Sequence, residues 1–277
     1  MGCGMESGLE LFGQILLKEK LGRLMRIIDR ISKKLDNYNK KLFLKRNKKS
    51  KIKECYICKE KFEKFFPYRI IDKDLLSDHM DMVGSDINNY GCYYCNCNDR
   101  ERHLFMYLDK YELWTHFIGS TILHVAPESK ISQRINSMET SNYIKGDYFP
   151  HNDQVKLDIT NLNYSNESFN MVICNHVLEH VNDMEKGLEE IHRVLKKGGF
   201  AILQVPYSNL LTKNFEESNI VTDEQRLYFY GEVNHLRVIS KKQYFDDLAN
   251  YFLLDVKKHD DSFDYNDAFY FGVNKLE

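Results

Sequence analysis

The sequence predicts an α/β fold, a doubly wound and mostly parallel sheet of seven strands, preceded by a small cysteine-rich module and a long helix. From about residue 121 onwards, short apolar segments alternate with amphipathic helical segments, which is typical of such a sheet. Two C-x-x-C pairs lie before that region in a turn-rich stretch. Hydrophobic residues make up 43% of the 277 residues and there are only four prolines, which excludes a disordered or collagenous chain.

Residues 1–52 are predicted to form a basic amphipathic helix. Apolar residues recur there at alternating steps of four and three, the spacing of a coiled coil, from Leu17 through Leu21, Leu24 and Ile28 to Leu42. Residues 1–51 carry a net charge of +9, whereas the rest of the chain carries −11. The helix could form a homodimer, lie on an anionic membrane or nucleic acid, or pack on its own domain.

The N-terminus shows no secretory signal, and no apolar run approaches the length of about 18 residues that crosses a bilayer. We therefore expect a cytoplasmic protein with reduced thiols.

Residues 53–103 are predicted to form a zinc-binding module. Cys55-x-x-Cys58 and Cys92-x-x-Cys95 are each spaced to present two thiolates to one ion, and four thiolates leave a structural zinc no open position. Cys97, two residues past Cys95, could be a substitute ligand, but it is expected to be a bystander. Cys174, at the end of an apolar strand, is expected to be a core thiol.

Residues 104–277 are predicted to form the main domain, opening with an aromatic-rich helix over 104–118. The connection over about 206–239 is too long for a simple loop and is predicted to form the substrate pocket. Helices are predicted at 129–137, 182–196 and 240–251, and strands at 121–126, 142–146, 155–158, 168–174, 200–205, 252–258 and 267–274.

In an open parallel sheet, ligands bind at the carboxyl ends of the strands, beside the point where strand order reverses. The first turn there contains Ala126-Pro127-Glu128 and no G-x-G-x-x-G, which argues against a dinucleotide. Asp147 ends the second strand, where a carboxylate can accept both ribose hydroxyls. Asp158-Ile159 ends the third strand and could receive an adenine amino group. Asn175 ends the fourth.

The segment "DITNLNYSNESFNMVICNHVLEHVNDMEKGLEEIHRVLKKGGFAILQVP" resembles the core of a class I S-adenosylmethionine-dependent methyltransferase of the methyltransferase type 11 group, a Rossmann-like fold. The cysteine pairs, Glu101-Arg102-His103, "LHVAPES", "HVLEH" and "NHLRV" resemble a bacterial subgroup with an N-terminal zinc ribbon. That subgroup is often associated with surface-carbohydrate biosynthesis. The resemblance covers roughly residues 53–274.

The resemblance implies S-adenosylmethionine as cofactor, with Asp147 and Asp158 at its ribose and adenine positions. Most members have an acidic residue and two glycines in the first turn, where this chain has His124, Ala126 and Glu128. We therefore expect Glu128 to hold the ammonium group of the cofactor by charge-assisted hydrogen bonding.

Methyl transfer to a hydroxyl needs a base, and His176 or His235 is the candidate. His176, Glu179 and His180 could share a helix face and hold a divalent ion, as in related methyltransferases acting on quinone rings. Alternatively, Glu179 and His180 only stabilise the turn. Arg237 is expected to face the acceptor with His235 and to suit a phosphate or carboxylate.

Three functions are compatible with these features. The first is O-methylation of a small polar acceptor, such as a sugar, sugar nucleotide or phosphorylated precursor of a surface polysaccharide. The second is an RNA or DNA methyltransferase that grips phosphates with the zinc module and basic helix. Against it, Asn175-His176-Val177-Leu178 is not the Asn/Asp-Pro-Pro-aromatic run of base amine methyltransferases, and the catalytic region is acidic. The third is a non-catalytic, zinc-stapled scaffold.

Overall fold

The computed structural model describes residues 53–68, 74–264 and 266–274, all within the compact unit Ile52–Glu277. The predicted basic helix over 1–52 lies outside the described residues. None of the described helices is long and apolar enough to cross a membrane.

The cysteine-rich module consists of short elements around a core of cysteine and phenylalanine side chains. Strand β1 (Lys53–Glu54) pairs antiparallel with β2 (Lys61–Phe62). A 3₁₀ turn, Leu76–His79, leads into β3 (Met82–Val83).

Helix α1 (Asp99–Lys110) joins this module to the sheet. It begins in a capping box, since the Asn98 side chain accepts from the Glu101 amide at 2.8 Å while the Glu101 carboxylate accepts from the Asn98 amide at 3.1 Å. The predicted helix over 104–118 is thus wrong at both ends. A separate 3₁₀ turn, Leu113–Phe117, follows because Glu112 adopts a left-handed conformation (φ 53°) that interrupts the helix.

The central sheet has five parallel strands in the order β6-β5-β4-β7-β8. The chain proceeds outwards from β4 to β5 and β6, then returns to the other side of β4 for β7 and β8, so the order reverses between β4 and β7. The strands are β4 (Thr121–Val125), β5 (Asn142–Asp147), β6 (Val155–Lys156), β7 (Phe169–Asn175) and β8 (Leu195–Gln204).

Helices cover both faces of this sheet, as a doubly wound fold requires. On one face, α1 and α2 (Ser129–Asn136) pack against Ile122, Met171 and Ile173. On the other, α3 (Met184–Val194) packs against Leu123, Val125, Val172 and Cys174. Adjacent strand residues thus enter opposite cores. Cys174 is completely buried, as predicted.

The predicted pocket insertion, 206–239, forms a small second sheet with the cysteine-rich module. Its strand β9 (Tyr207–Ser208) lies between β3 and β10 (Ile239–Ser240). Helix α4 (Asp223–Tyr230) starts at a Thr222 capping box and ends at Gly231, and α5 (Lys241–Ala249) follows β10 directly.

The last two predicted strands are wrong. Residues 252–258 form no strand, and Leu253 is fully exposed. Residues 267–274 contain helix α7 (Asp267–Phe271), which follows the short α6 (His259–Ser262) and packs on the cysteine-rich module. A short apolar segment does not by itself distinguish a strand from a helix, and tertiary contacts decided here.

Candidate active site

Four cysteine side chains of the N-terminal module converge on one point. The sulfur atoms of Cys55, Cys58, Cys92 and Cys95 all lie within 4.8 Å of one another. The Cys55–Cys95 and Cys58–Cys92 sulfur pairs are both 3.7 Å apart. A tetrahedral zinc site with Zn–S bonds of about 2.3 Å has sulfur–sulfur edges of about 3.8 Å, so the cluster has the dimensions of a zinc site.

The two C-x-x-C pairs form two turns of the same design. Lys59 donates its amide to Cys55 O at 2.8 Å, and Asn96 donates its amide to Cys92 O at 3.0 Å. Both donors have positive φ, 58° and 61°. The carbonyl of Glu60 accepts from the Cys55 amide at 3.0 Å and closes the first turn. The carbonyl of Cys97 accepts from the Cys92 amide at 2.9 Å and closes the second turn in the same way. The buried sulfur of Cys97 lies 3.4 Å from that of Cys55 and accepts from Arg102 Nη1 at 3.7 Å.

Arg102 ties the cysteine-rich module to the C-terminal segment. Its side chain is completely buried and lies over the Phe65 ring, with the guanidinium carbon 3.9 Å from the ring centroid. It donates to backbone carbonyls on both sides, Tyr90 and Asn89 on one and Phe271 and Gly272 on the other. The planar, multiply donating guanidinium suits this junction.

The reversal of strand order brings together the residues that follow β4 and β7. Ala126, directly after β4, has φ 46°, and His176, directly after β7, has φ 54°. Such a conformation is costly for a residue with a side chain and often accompanies a functional site. The Ala126 amide donates to Gly146 O at 2.7 Å, which fixes the first turn against β5.

Glu128 is the centre of a buried hydrogen-bond network in this crevice. One carboxylate oxygen lies 2.6 Å from His124 Nε2, and the other accepts from Asn175 Nδ2 at 3.0 Å. The other ring nitrogen of His124 contacts the Tyr143 hydroxyl at 2.8 Å. The Glu128 carboxylate and the Asn175 amide thus lie in contact where an ammonium is expected, and the buried Asn175 Oδ1 is an acceptor without a partner among the described residues.

The protonation of Glu128 suits this role. Burial by itself would raise the pKa of Glu128, but hydrogen bonding and charge from His124, together with Asn175, outweigh it and lower the pKa. Glu128 is therefore an anion at neutral pH, and its side chain remains 15% exposed.

Glu101 is a neighbouring carboxylate that was not predicted from the sequence as a site residue. Its Oε1 accepts from the Lys130 amide at 2.6 Å, in the first turn of α2. Burial raises the pKa of Glu101, the Lys130 and Asn98 amides oppose this, and the charge of Glu128 adds to the rise. The motif Glu101-Arg102-His103 thus approaches the crevice through Glu101. Arg102 and His103 face the structural junction, where His103 lies 2.9 Å from His259.

The remaining predicted cofactor residues occupy the expected strand ends. Asp147 ends β5, and its Oδ1 accepts the Phe149 amide at 2.8 Å. Asp158 is exposed just after β6, and its Oδ1 accepts from the amide and hydroxyl of Thr160. Ile159 is buried in the core beneath α3, so its side chain serves packing. Pro127 is half-buried between Ala126 and Glu128.

Three histidines surround Glu179 on the β7 side of the crevice. Nδ1 of His176 lies 3.6 Å from Glu179 Oε1, and Nε2 of His180 lies 3.8 Å from the same oxygen. The His180 and His235 rings meet edge to face, with centroids 4.8 Å apart. The structure therefore brings His235 from the insertion next to the turn after β7. A 3₁₀ turn, Leu178–His180, carries two of these side chains, rather than the α-helical face that was expected.

Charge and burial determine which side chains of this cluster are ionised at neutral pH. Burial alone would raise the pKa of the completely buried Glu179, but His176, His180 and His235 reverse this, so the pKa is lowered. Burial lowers the pKa of His235 to about 4, which makes it a neutral imidazole and a weak base. Both ring nitrogens of His176 are buried without a hydrogen-bond partner among the described residues.

Arg237 does not face an acceptor as the sequence suggested. It is 2% exposed, and its guanidinium is engaged by the Glu216 carboxylate, with Nε and Nη2 donating at 2.7 and 2.9 Å. It also donates to the carbonyls of Leu178, Val181 and Asn182. The side chain clamps the turn after β7 instead, because that turn presents three carbonyls that need donors.

Residues 124–203 match the family model described as a methyltransferase domain. No curated protein matches the sequence. Among solved structures, the chain is similar to a Bacillus halodurans protein provisionally named as a methyltransferase, with 19% identity over 52% of this chain and 65% of that one and a TM-score of 0.37.

Two further structures are similar at the same level. An S-adenosylmethionine-dependent methyltransferase from Mesorhizobium loti shows 13% identity over 53% of this chain and 81% of that one, with a TM-score of 0.39. The N-methyltransferase NodS from Bradyrhizobium japonicum, in complex with S-adenosylhomocysteine, shows 15% identity over 57% and 76%, with a TM-score of 0.37. The family match covers the crevice from Glu128 to His180, so this part of the chain is similar to a methyltransferase domain.

Proposed function

We propose that the protein is an S-adenosylmethionine-dependent methyltransferase that O-methylates a small polar acceptor, such as a sugar, sugar nucleotide or phosphorylated precursor of a surface polysaccharide. The observation that carries the proposal is the pair of acceptors at the strand-order reversal, the Glu128 anion and the unpartnered Asn175 Oδ1. An ammonium group beside Glu128 would form a charge-assisted hydrogen bond with this anion.

In this proposal Asp147 and Asp158 hold the ribose and adenine parts of the cofactor, and Ala126-Pro127 lines its methionine part. The cofactor, when bound, supplies a methyl group on a sulfonium sulfur. That methyl group would pass to an oxygen of the acceptor, and this chain would have to supply a base for the proton of the acceptor hydroxyl.

We assign the base to His176 rather than to His235. Glu179, an anion 3.6 Å from His176 Nδ1, can orient the imidazole and stabilise its protonated form. His235, with a pKa of about 4, would accept a proton poorly at neutral pH. A neighbouring base suits a hydroxyl acceptor, whose proton must be removed.

The cysteine cluster, in this proposal, holds a structural zinc ion. With four thiolates it would leave no position open for chemistry. Its contribution would be to fix α1, and with it Glu101, beside the crevice.

The variant His176→Asn tests the assignment of the base. Asparagine tolerates the left-handed backbone that His176 adopts, so the turn should be preserved. We expect S-adenosylhomocysteine to bind as before, while turnover falls by about 10²- to 10⁴-fold. The measurement is release of S-adenosylhomocysteine with a panel of sugars, sugar nucleotides and sugar phosphates.

The control is His192→Asn in α3, which should leave turnover unchanged, because His192 is exposed and its ring contacts Tyr251 and Phe252 rather than the crevice residues. Undiminished turnover by His176→Asn would contradict the assignment. Methylation of RNA but of no compound in the panel would contradict the proposed acceptor class.

A further inference from the structure

Strand β8 has one uncovered edge. Among the described strands it pairs with β7 alone. Phe200, Ala201, Ile202 and Leu203 follow one another in β8, and each is only partly buried. Phe200 and Ile202 pack towards the core on one face of the sheet, and Ala201 and Leu203 towards the core on the other. An apolar run that enters two cores is typical of an interior strand rather than of an edge.

The backbone of β8 directs hydrogen-bonding groups to this free edge. Gln204 O accepts from the His176 amide at 2.7 Å, so the N–H and C=O of Gln204 face β7. Because the direction alternates along a strand, Ile202 also faces β7, whereas the N–H and C=O of Ala201 and Leu203 face the free edge. Residues 252–258 border this edge but form no strand. Unpaired N–H and C=O groups in a row are a template for another strand.

A groove of about 1560 Å³ runs along the free edge. Its apolar walls come from both helical layers, with Leu104 and Tyr107 of α1 on one side and Phe245 and Leu248 of α5 on the other. This volume exceeds the roughly 300–1,000 Å³ that small-molecule pockets have. The groove therefore has the position and the size for an added strand whose side chains enter both layers.

Positive charge dominates the lining of the groove. Six lysine and arginine side chains line it, against three aspartate and glutamate side chains. Lys197 and Lys258 are exposed, and neither has an ion-pair partner within the described ranges. Lysines and a register shift protect the amino end of β8 against unspecific pairing, but the run from Phe200 to Leu203 has no such protection. A segment that binds there should carry acidic residues near the lysines.

We propose that the free edge of β8 binds an extended segment of a partner protein, which adds a sixth strand to the sheet. The segment would be apolar where its side chains enter the two helical layers and acidic where it meets Lys196 and Lys197. Residues 1–51 of this chain carry a net charge of +9 and do not complement the groove. The partner would bind beside the turn that carries His176, but its binding does not depend on the proposed function.

The test is amide hydrogen exchange of the full-length protein, measured by NMR with and without a probe peptide. The probe is a valine-rich synthetic peptide with two glutamates at one end. In the protein alone, we expect the Ala201 and Leu203 amides to exchange at least about a hundredfold faster than those of Ile202 and Gln204. The probe should protect Ala201 and Leu203. The same peptide with N-methylated amides should not, because the methyl groups block strand pairing.

Two variants examine the edge and the charge separately. Ala201→Pro removes an N–H that faces the free edge and leaves the pairing with β7, so probe binding should be lost while the fold is kept. Lys197→Glu should weaken probe binding about tenfold, since it replaces an attraction by a repulsion. The matched control is Lys156→Glu, at an exposed position of β6 on the opposite edge of the sheet, which should bind the probe as the wild type does.

Protection of Ala201 and Leu203 in the protein alone would overturn the inference, because the edge would then already be paired. Protection that rises with protein concentration would identify a second copy as the occupant, and protection that does not would identify a segment of the same chain. No binding of the probe by the wild type, equal binding of the N-methylated peptide, or undiminished binding by Lys197→Glu would also overturn it. If Ala201→Pro fails to fold, Lys197→Glu still tests the proposal, because Lys197 is exposed.

Discussion

At the scale of single residues, the crevice is marked by backbone conformation as much as by chemistry. Ala126 and His176 both have left-handed φ values and follow the two strands between which the order reverses. Neither is a glycine or an asparagine, the residues that adopt this conformation readily. The sequence predicted both positions as site residues from strand ends, but not their strained backbone, since nothing in the residue types indicates it.

Replacing Ala126 by glycine should increase stability. The left-handed conformation costs a side-chain-bearing residue about 1–2 kcal/mol, and part of that gain is lost to the greater freedom of glycine in the unfolded chain. We expect Ala126→Gly to raise the free energy of unfolding by about 0.5 kcal/mol, measured by urea denaturation. The control Ala249→Gly, at an exposed end of α5, should lower it by up to about 1 kcal/mol. A loss of stability in both variants would contradict the strain at Ala126.

At the scale of elements, the boundaries of strands and helices were predicted best where the strand is buried on both faces of the sheet. β4, β5 and β7 were predicted within about a residue. The apolar runs of β4 and β7 enter two cores at once, which makes these two strands easy to recognise. The boundary between α3 and β8 was wrong. The strand begins at Leu195, and Lys196-Lys197-Gly198-Gly199 belongs to it rather than to a helix end. Phe169 pairs with Leu195 and Met171 pairs with Phe200, so a register shift between these pairs places these four residues within β8. The local sequence does not indicate this register shift.

The α3 ion pair between Glu190 and Arg193 connects that helix to the loop before β7. Glu190 accepts from Arg193 at 2.7 and 2.8 Å and from the Leu162 amide, while Arg193 donates to Leu162 O and Tyr164 O. The Glu190 side chain is only 9% exposed. The Arg193 hydrogen bond is the main cause that lowers the pKa of Glu190.

Glu190→Gln should therefore destabilise the protein in a pH-dependent manner. At pH 7 we expect a loss of about 2 kcal/mol in the free energy of unfolding. Because the folded pKa is below the unfolded value of about 4.3, this contribution is complete above that pH and disappears as pH falls through the folded pKa. Urea unfolding at pH 7 and below pH 4 tests this.

The neighbouring Glu189→Gln is the matched control. Glu189 pairs with Lys186 while 45% exposed, so its loss should change stability by less than about 0.5 kcal/mol. An equal effect of the two variants, or a Glu190→Gln effect independent of pH, would refute the interpretation.

At the scale of the whole molecule, the described chain is held together by connections that no single motif indicates. The insertion pairs β9 with β3 of the cysteine-rich module, and Arg102 joins that module to the C-terminal segment. Both connect sequence-distant segments to the part of the chain that forms the central sheet. Arg237 forms a third connection of this kind. An arginine at this position suggested a substrate ligand from the sequence, but its hydrogen bonds to Leu178 O and to Glu216 are those of a structural anchor.

The site could be predicted in outline because strand ends meet at one edge of a parallel sheet. The grouping of His235 with Glu179 and His180 could not, because it depends on how a long insertion returns to that edge. Likewise, the approach of Glu101 to Glu128 follows from the orientation of α1, which the local pattern does not specify. Functional residues carried by long connections therefore required the structure.

The central claim is that the edge of the sheet at Glu128, Asp147 and Asn175 binds S-adenosylmethionine. Calorimetric titration of S-adenosylhomocysteine into the protein, beside Asp147→Ala, tests it most directly. Asp147 ends β5 at the surface of the crevice, so its removal should leave the fold intact. We predict micromolar binding by the wild type that weakens at least about tenfold in Asp147→Ala, as expected when hydrogen bonds from a charged group are lost. No binding by a folded wild-type protein, or equal binding by Asp147→Ala, would contradict the account.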